Sequence, residues 1–157
     1  MKRLISITVN GKLHEVAVKP NQTLVDFLRD ELHLIGTKKG CEVGDCGSCT
    51  VLMDGMPVNS CLVLAVQANG REIQTIEGLE SPKGLHPIQE AFVEKGAIQC
   101  GFCTPGMILT AKNLLENNPR PDRGEIRRAI SGNLCRCTGY QKIIDAIEAA
   151  SQYMAKE

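Results

Sequence analysis

Apolar and polar positions alternate at the head of the chain. Ile5, Ile7 and Val9 are separated by Ser6 and Thr8, the pair Asn10-Gly11 follows, and Val16 and Val18 fall on one face of the returning segment. A period of two marks a strand and Asn-Gly is a preferred two-residue hairpin turn, so residues 3 to 19 are expected to form a β-hairpin. Pro20 ends it, and the period then lengthens. Leu24, Phe27, Leu28 and Leu32 line one helical face over residues 24 to 32, with Thr23 as N-cap and Asp26 in an acidic first turn. From Gly36 to Cys49 the pattern collapses into glycines, charges and cysteines, which predicts a loop. "CTVLMDGMPVNSC" reads as a second hairpin turning at Asp54-Gly55, and Arg71 to Glu77 as a further strand. One helix on a small sheet is an α+β arrangement.

The stretch "GLESPKGLHP", residues 78 to 87, has Gly and Pro but no period, and predicts a connection between two units. Beyond it the pattern is helical. Ile88, Ala91 and Phe92 precede a stop at Gly96; Thr104-Pro105 opens a second helix with Met107, Ile108, Ala111, Leu114 and Leu115 on its face. Asp122 and Glu125 have the spacing of a capping box before Ile126, Ala129 and Ile130. Thr138 precedes a fourth helix bearing Ile143, Ile144, Ala146, Ile147 and Ala150. Four short helices joined by short loops predict a small four-helix bundle. The expected organisation is residues 1–77 as the α+β domain, 78–87 as linker and 88–157 as the helical domain.

Charge narrows the field of partners. The 157 residues include 18 basic and 18 acidic side chains, so neither nucleic acid nor an anionic membrane surface would be drawn by bulk electrostatics. Aromatic residues make up 3 % and Trp is absent, which leaves no stacking platform for single strands. The N-terminus reads as a strand rather than a signal peptide, and no apolar run approaches the roughly 18 residues of a membrane span. The expectation is a cytoplasmic protein, in a compartment that keeps thiols reduced.

Eight cysteines then require a use other than disulfides, for which the close C-x-x-C and C-x-C pairs are in any case poor staples. Cys41, Cys46, Cys49 and Cys61 are spaced C-x4-C-x2-C-x11-C; Cys100, Cys103, Cys135 and Cys137 are spaced C-x2-C-x31-C-x-C. A zinc tetrahedron of two C-x2-C pairs fits neither set well. The first set has the plant-type spacing of a [2Fe-2S] cluster, in which one loop wraps an anionic rhomb with three thiolates and turns its amides inward. Gly40, Gly44 and Gly47 suit that wrapping, because a residue without Cβ tolerates positive φ and lets the backbone approach the sulfurs. Spacing alone leaves the second set open between zinc and a cluster, although Cys103 and Cys137 directly precede expected helix starts, whose positive dipole ends favour an anion. His14, His33 and His86 stand apart from every cysteine and read as surface or packing residues.

"GTKKGCEVGDCGSCTVLMDGMPVNSCL", "IQCGFCTPGMILTA" and "GNLCRCTGYQKIIDAI", in that order, strongly resemble the small iron–sulfur subunit of the molybdenum hydroxylases, the xanthine dehydrogenase and aldehyde oxidase family. The likeness runs from the first hairpin to the last helix. It implies a ferredoxin-like β-grasp domain followed by the helical domain, each holding one [2Fe-2S] cluster, so that both thiol sets become iron ligands. It also implies hetero-oligomeric partners: a large subunit with a molybdenum–pterin cofactor and a medium subunit with FAD, between which this chain passes single electrons. By the same resemblance Gln99 hydrogen-bonds the pterin and Cys137 contacts it as well as ligating iron. No residue here is expected to act on substrate. A free two-cluster ferredoxin and a zinc-binding interaction module are the competing readings. Arg136 is expected either to neutralise a cluster or to be solvated, Lys38 and Lys39 to face an acidic partner or water, and Phe102 and Tyr140 to pack around the thiols.

Overall fold

Both expected hairpins form, and each turns where the sequence places its glycine. In the computed structural model, which describes residues 1–155, strand β1 (Arg3–Val9) pairs antiparallel with β2 (Lys12–Val18), and β3 (Thr50–Met53) with β4 (Met56–Asn59). Asn10 and Gly11, and likewise Asp54 and Gly55, all take positive φ, as a two-residue turn of the mirror-image type requires. The short β5 (Glu72–Gln74) joins the hairpins, parallel to β1 and antiparallel to β3, giving a five-stranded mixed sheet in the order β2-β1-β5-β3-β4. The expected strand over residues 71 to 77 is shorter than its pattern, because the chain turns into one 3-10 turn at Ile76–Gly78.

The expected helix over residues 24 to 32 forms in a modified way. It opens as α1 (Leu24–Asp26), capped by Thr23, whose Oγ1 accepts the Asp26 amide at 3.2 Å, and continues as a wider π-type turn over Phe27–Glu31. Leu24, Phe27 and Leu28 are completely buried against Ile5, Ile7, Val9, Val51 and Ile73. Each such side chain is worth about 1.5–3 kcal/mol when fully buried, so this face holds the helix in the grasp of the sheet.

The second half carries α2 (Pro87–Glu94), α3 (Thr104–Asn117), α4 (Arg123–Ala129) and α5 (Gln141–Met154). The capping box at the start of α4 is reciprocal: the Glu125 amide donates to Asp122 Oδ1 and the Asp122 amide to Glu125 Oε2, both at 2.7 Å. His86 caps α2, its Nδ1 accepting the Ile88 amide at 3.2 Å. The last helix starts later than expected. Thr138 does not cap it; Tyr140 precedes it in a left-handed conformation, φ +69°, and the helix begins at Gln141.

The helical core does not end at the helices. Leu52 on β3 and Leu79 belong to it, together with Phe92, Met107, Leu109, Ile126, Ile143 and Ile147. Val51 and Leu52, successive residues of one strand, point to opposite faces and so serve the two cores in turn. Helix α3 thus lies on the back of β3, which brings the start of α3 and the cysteine loop preceding β3 to the same region of the molecule. No helix among the described residues is long and apolar enough to cross a membrane.

Candidate metal centres

The segment entering the first cysteine loop is tied down before it reaches Cys41. The Arg29 guanidinium, on the wide turn after α1, donates to the carbonyls of Ile35 at 2.9 Å and Thr37 at 2.8 Å. Lys39 Nζ bonds Asp26 at 2.7 Å and Glu42 at 2.9 Å, which raises its pKa and lowers that of Asp26 against the opposing effect of burial; Lys38 Nζ donates to the Ile35 carbonyl. Lys39 is therefore occupied within the chain.

The loop then folds around Cys41. Its sulfur accepts the amides of Val43 at 3.4 Å, Asp45 at 3.2 Å and Cys46 at 3.3 Å. These donors, Val43 foremost, lower the Cys41 thiol to about 6, so it is a thiolate at neutral pH. Cys46 Sγ lies 3.1 Å from Ser48 Oγ. Cys49 and Cys61 are buried with Val25. Burial above all, then the neighbouring Cys49, pushes Cys61 up to about 11, while the Gly44 amide acts in the opposite direction.

The glycines of this loop divide into two uses. A Cβ on Gly40 would sit 2.7 Å from Cys46 Sγ and 2.8 Å from Ser48 Oγ, and Gly44, at φ +83°, aims its amide at Cys61. Gly47 does something else. At φ +69° it abuts the helical half, where a Cβ would run into the Gly132 carbonyl and Asn133.

The second set gathers residues from two segments, Cys100 and Cys103 from the stretch before α3 and Cys135 and Cys137 from the stretch before α5. Cys103 is the residue directly before α3, and burial raises its thiol to about 12, Cys135 adding to the effect. Cys135 is opened to side-chain donors: its sulfur lies 3.1 Å from Thr138 Oγ1 and accepts the Thr138 amide at 3.4 Å, while its own amide donates to the Tyr140 hydroxyl at 2.9 Å. Burial is the largest single influence on Cys135 and raises its pKa, but the Thr138 hydroxyl and amide, the Cys137 amide and Cys103 outweigh it, so the net shift is downward. Cys100 and Cys137 are exposed and interact with each other, which raises the Cys137 thiol. Cys137 does not lie at a helix start, because Thr138, Gly139 and Tyr140 intervene before α5.

All eight cysteines are free thiols. Among the described residues, no three His, Cys, Asp or Glu side chains converge as ligands of a single metal ion. The thiols instead associate in twos: Cys41 with Cys46, Cys49 with Cys61, Cys100 with Cys137 and Cys103 with Cys135. Cys41 with Cys61, Cys100 with Cys103, and Cys135 with Cys137 also feel one another electrostatically, so each set of four is one neighbourhood. Two thiolates for each of two irons is the donor arrangement of a [2Fe-2S] cluster, whereas structural zinc takes all four at one centre. In each set one thiol is held low and another high.

Gln99 is exposed beside Cys100, and Ile98, Phe102 and Leu134 are exposed apolar neighbours in sequence of the second set. Arg136 is exposed. Three residues near the sulfurs carry contacts that sequence patterns did not assign: Ser48 at Cys46, Thr138 at Cys135, and Tyr140, whose hydroxyl fixes the Cys135 backbone rather than merely packing. A short polar side chain two or three residues from a thiol is the only signal that marked the first two.

Comparison with known proteins accounts for both halves. Residues 7–75 match the family described as 2Fe-2S iron-sulfur cluster binding domain, and residues 75–148 the [2Fe-2S] binding domain. The chain is 54 % identical over 143 residues to the beta subunit of the 6-hydroxypseudooxynicotine dehydrogenase complex of Paenarthrobacter nicotinovorans, covering 90 % of this chain and 89 % of that one. It is 47 % identical to the nicotinate dehydrogenase small FeS subunit of Eubacterium barkeri, over 98 % of both. The crystal structure of quinoline 2-oxidoreductase from Pseudomonas putida 86 superposes with a TM-score of 0.95 at 51 % identity, covering 99 % of this chain and 97 % of that chain. The chain belongs to the small iron–sulfur subunits of the molybdenum hydroxylases. As a member of that family it is an electron-transfer subunit of an oxidoreductase, built as a ferredoxin-like domain followed by a helical one. The fold and the recognition of the family from three cysteine motifs agree with these matches.

Proposed function

We propose that Cys41, Cys46, Cys49 and Cys61 hold one [2Fe-2S] cluster and Cys100, Cys103, Cys135 and Cys137 the other, and that the chain conducts electrons singly from a molybdenum–pterin site in a large subunit to an FAD subunit or another acceptor. The pairing of free thiols, two by two in each half, carries this reading. Such a cluster, when bound, supplies a one-electron couple. The chain supplies the setting: amide donors on Cys41 and Cys61, hydroxyl and amide donors on Cys135, and burial that sets the cost of added charge. Reduced thiols on this scale suit the cytosol.

The exposed Cys100 and Cys137, with apolar Ile98, Phe102 and Leu134 nearby in sequence, form the side that a permanent partner would cover, and we assign it to the large subunit. Gln99, on the same side, is the residue that would hydrogen-bond the pterin. Iron and acid-labile sulfide analysis of protein purified anaerobically with its partner chains tests the ligand assignment: two spectroscopically distinct reduced [2Fe-2S] signals are expected, and zinc without sulfide overturns it. For Gln99→Ala the expected outcome is full cluster content, thermal stability within about 0.5 kcal/mol of the parent, and slower reduction of the nearer cluster in rapid-reaction measurements on the complex. Unchanged kinetics would remove Gln99 from the electron path.

A further inference from the structure

The two thiol sets are joined by a buried polar knot centred on Asn133, a residue that no cysteine pattern singles out. Its side chain is 5 % exposed. Its Nδ2 donates to the Gly47 carbonyl at 3.0 Å and to Thr50 Oγ1 at 3.2 Å, and its Oδ1 accepts the Thr110 hydroxyl at 3.0 Å. The Thr50 hydroxyl spends its own proton on the Gly47 carbonyl at 2.7 Å, so it receives from Asn133 rather than competing with it. One carboxamide thereby ties together the loop between Cys46 and Cys49, the strand β3 and the helix α3.

The backbones meet at the same place. The Leu134 amide donates to the Cys46 carbonyl at 2.8 Å, and Leu134 adjoins Cys135. A Cβ on Gly106 would lie 2.6 Å from the Gly47 carbonyl, and one on Gly47 would strike the Gly132 carbonyl. The contact is thus as close as main chains allow, and the carboxamide of Asn133 is held by three partners, on the cysteine loop, on β3 and on α3.

We infer that Asn133 is a positioning residue for electron exchange between the two metal centres: it fixes the separation and orientation of the Cys46 and Cys135 segments. The inference rests on the ligand assignment proposed above. The step it serves moves one electron, so that one centre is oxidised as the other is reduced, with no bond or proton changing hands. A contact that merely stabilised the fold would leave the relation between the centres alone once the protein had folded.

The test uses the holo-complex with Asn133→Ala, read by the magnetic coupling between the two reduced clusters in EPR and by the rate of electron passage from one to the other after rapid mixing. Full iron and sulfide content, weaker coupling and intercluster transfer slowed several-fold are expected, because the electron must cross a separation that Asn133 no longer fixes. Parent-like coupling and rate in a fully loaded variant would overturn the inference. Should Asn133→Ala fail to assemble, Thr110→Val, which removes one of the three hydrogen bonds and keeps the side-chain shape, is expected to give the same change at smaller size, and parent-like coupling there would overturn it equally. Absence of iron or sulfide in the parent protein would instead sink the ligand assignment, so the two failures are distinguishable.

Discussion

Cys41 receives three main-chain amides from its own loop, whereas Cys135 receives the hydroxyl and amide of Thr138 and hangs its own amide on the phenol of Tyr140. The first set is chiefly a local object. Three of its four cysteines lie within nine residues, and the fourth is delivered by the hairpin that follows. The second set is assembled at long range, from the turn before α3 and the segment before α5, so it exists only when the helical core has packed. Burial differs in the same sense: Cys49 and Cys61 are buried, Cys100 and Cys137 exposed. One set has two of its thiols enclosed by its own domain, and the other leaves two at the surface.

The sharpest way to break the comparison is to remove one thiol from each side. With each set holding its own centre as proposed, Cys49→Ser and Cys135→Ser should each lose one cluster and so about half of the iron. The remaining EPR signal should be that of the untouched half. Loss of both signals from either variant would show that the two centres assemble as one unit.

Packing gives the next largest effect. Phe92 and Phe27 are both completely buried, one in the helical core and one under the sheet. Truncation of either to Ala should cost about 3–5 kcal/mol through lost contacts and a residual cavity. The comparison predicts different casualties. Phe92→Ala should release the iron of the second set first, because Cys103 and Cys135 depend on the helices packed by that core; Phe27→Ala should weaken the first set and spare the second. Iron release followed during urea titration, cluster by cluster, distinguishes the two outcomes.

What the sequence made legible follows the same divide between local and long-range. The hairpins at Asn10-Gly11 and Asp54-Gly55, the capping box of Asp122 and Glu125, and the placement of Cys103 at the start of α3 are all properties of a few consecutive residues. Thr138 misled because hydroxyl residues before an apolar face are ordinary helix caps, yet its hydroxyl is spent on Cys135 and the left-handed Tyr140 delays the helix. Gly47 carries a contact that the pattern did not show. Its place among thiols suggested a role at the sulfurs, and its carbonyl is in addition held by Asn133, 86 residues away. A separation of that length leaves no periodic trace. Nor does a pattern reveal that β3 serves two cores, since Val51 and Leu52 are both simply apolar until each face has a covering layer.

The finest test of the comparison is electrical. A hydrogen bond to sulfur favours the more negative, reduced state, so its removal lowers a cluster's potential. On Cys41 the donors are amides, which no substitution short of proline deletes. On Cys135 one donor is the Thr138 hydroxyl, which Thr138→Val removes while keeping the branched shape. The second centre should therefore shift to lower potential by tens of millivolts, where about 59 mV marks each tenfold change in a one-electron equilibrium. The first centre should not move. Thr138→Ser restores the hydroxyl and should restore the potential, which separates loss of the donor from disturbance of the turn, where Thr138 Oγ1 also accepts the Tyr140 amide at 3.2 Å. A redox titration that moved both centres together would mean that they share one electrostatic environment, and that the division between a backbone-tuned and a side-chain-tuned site does not reach the clusters themselves.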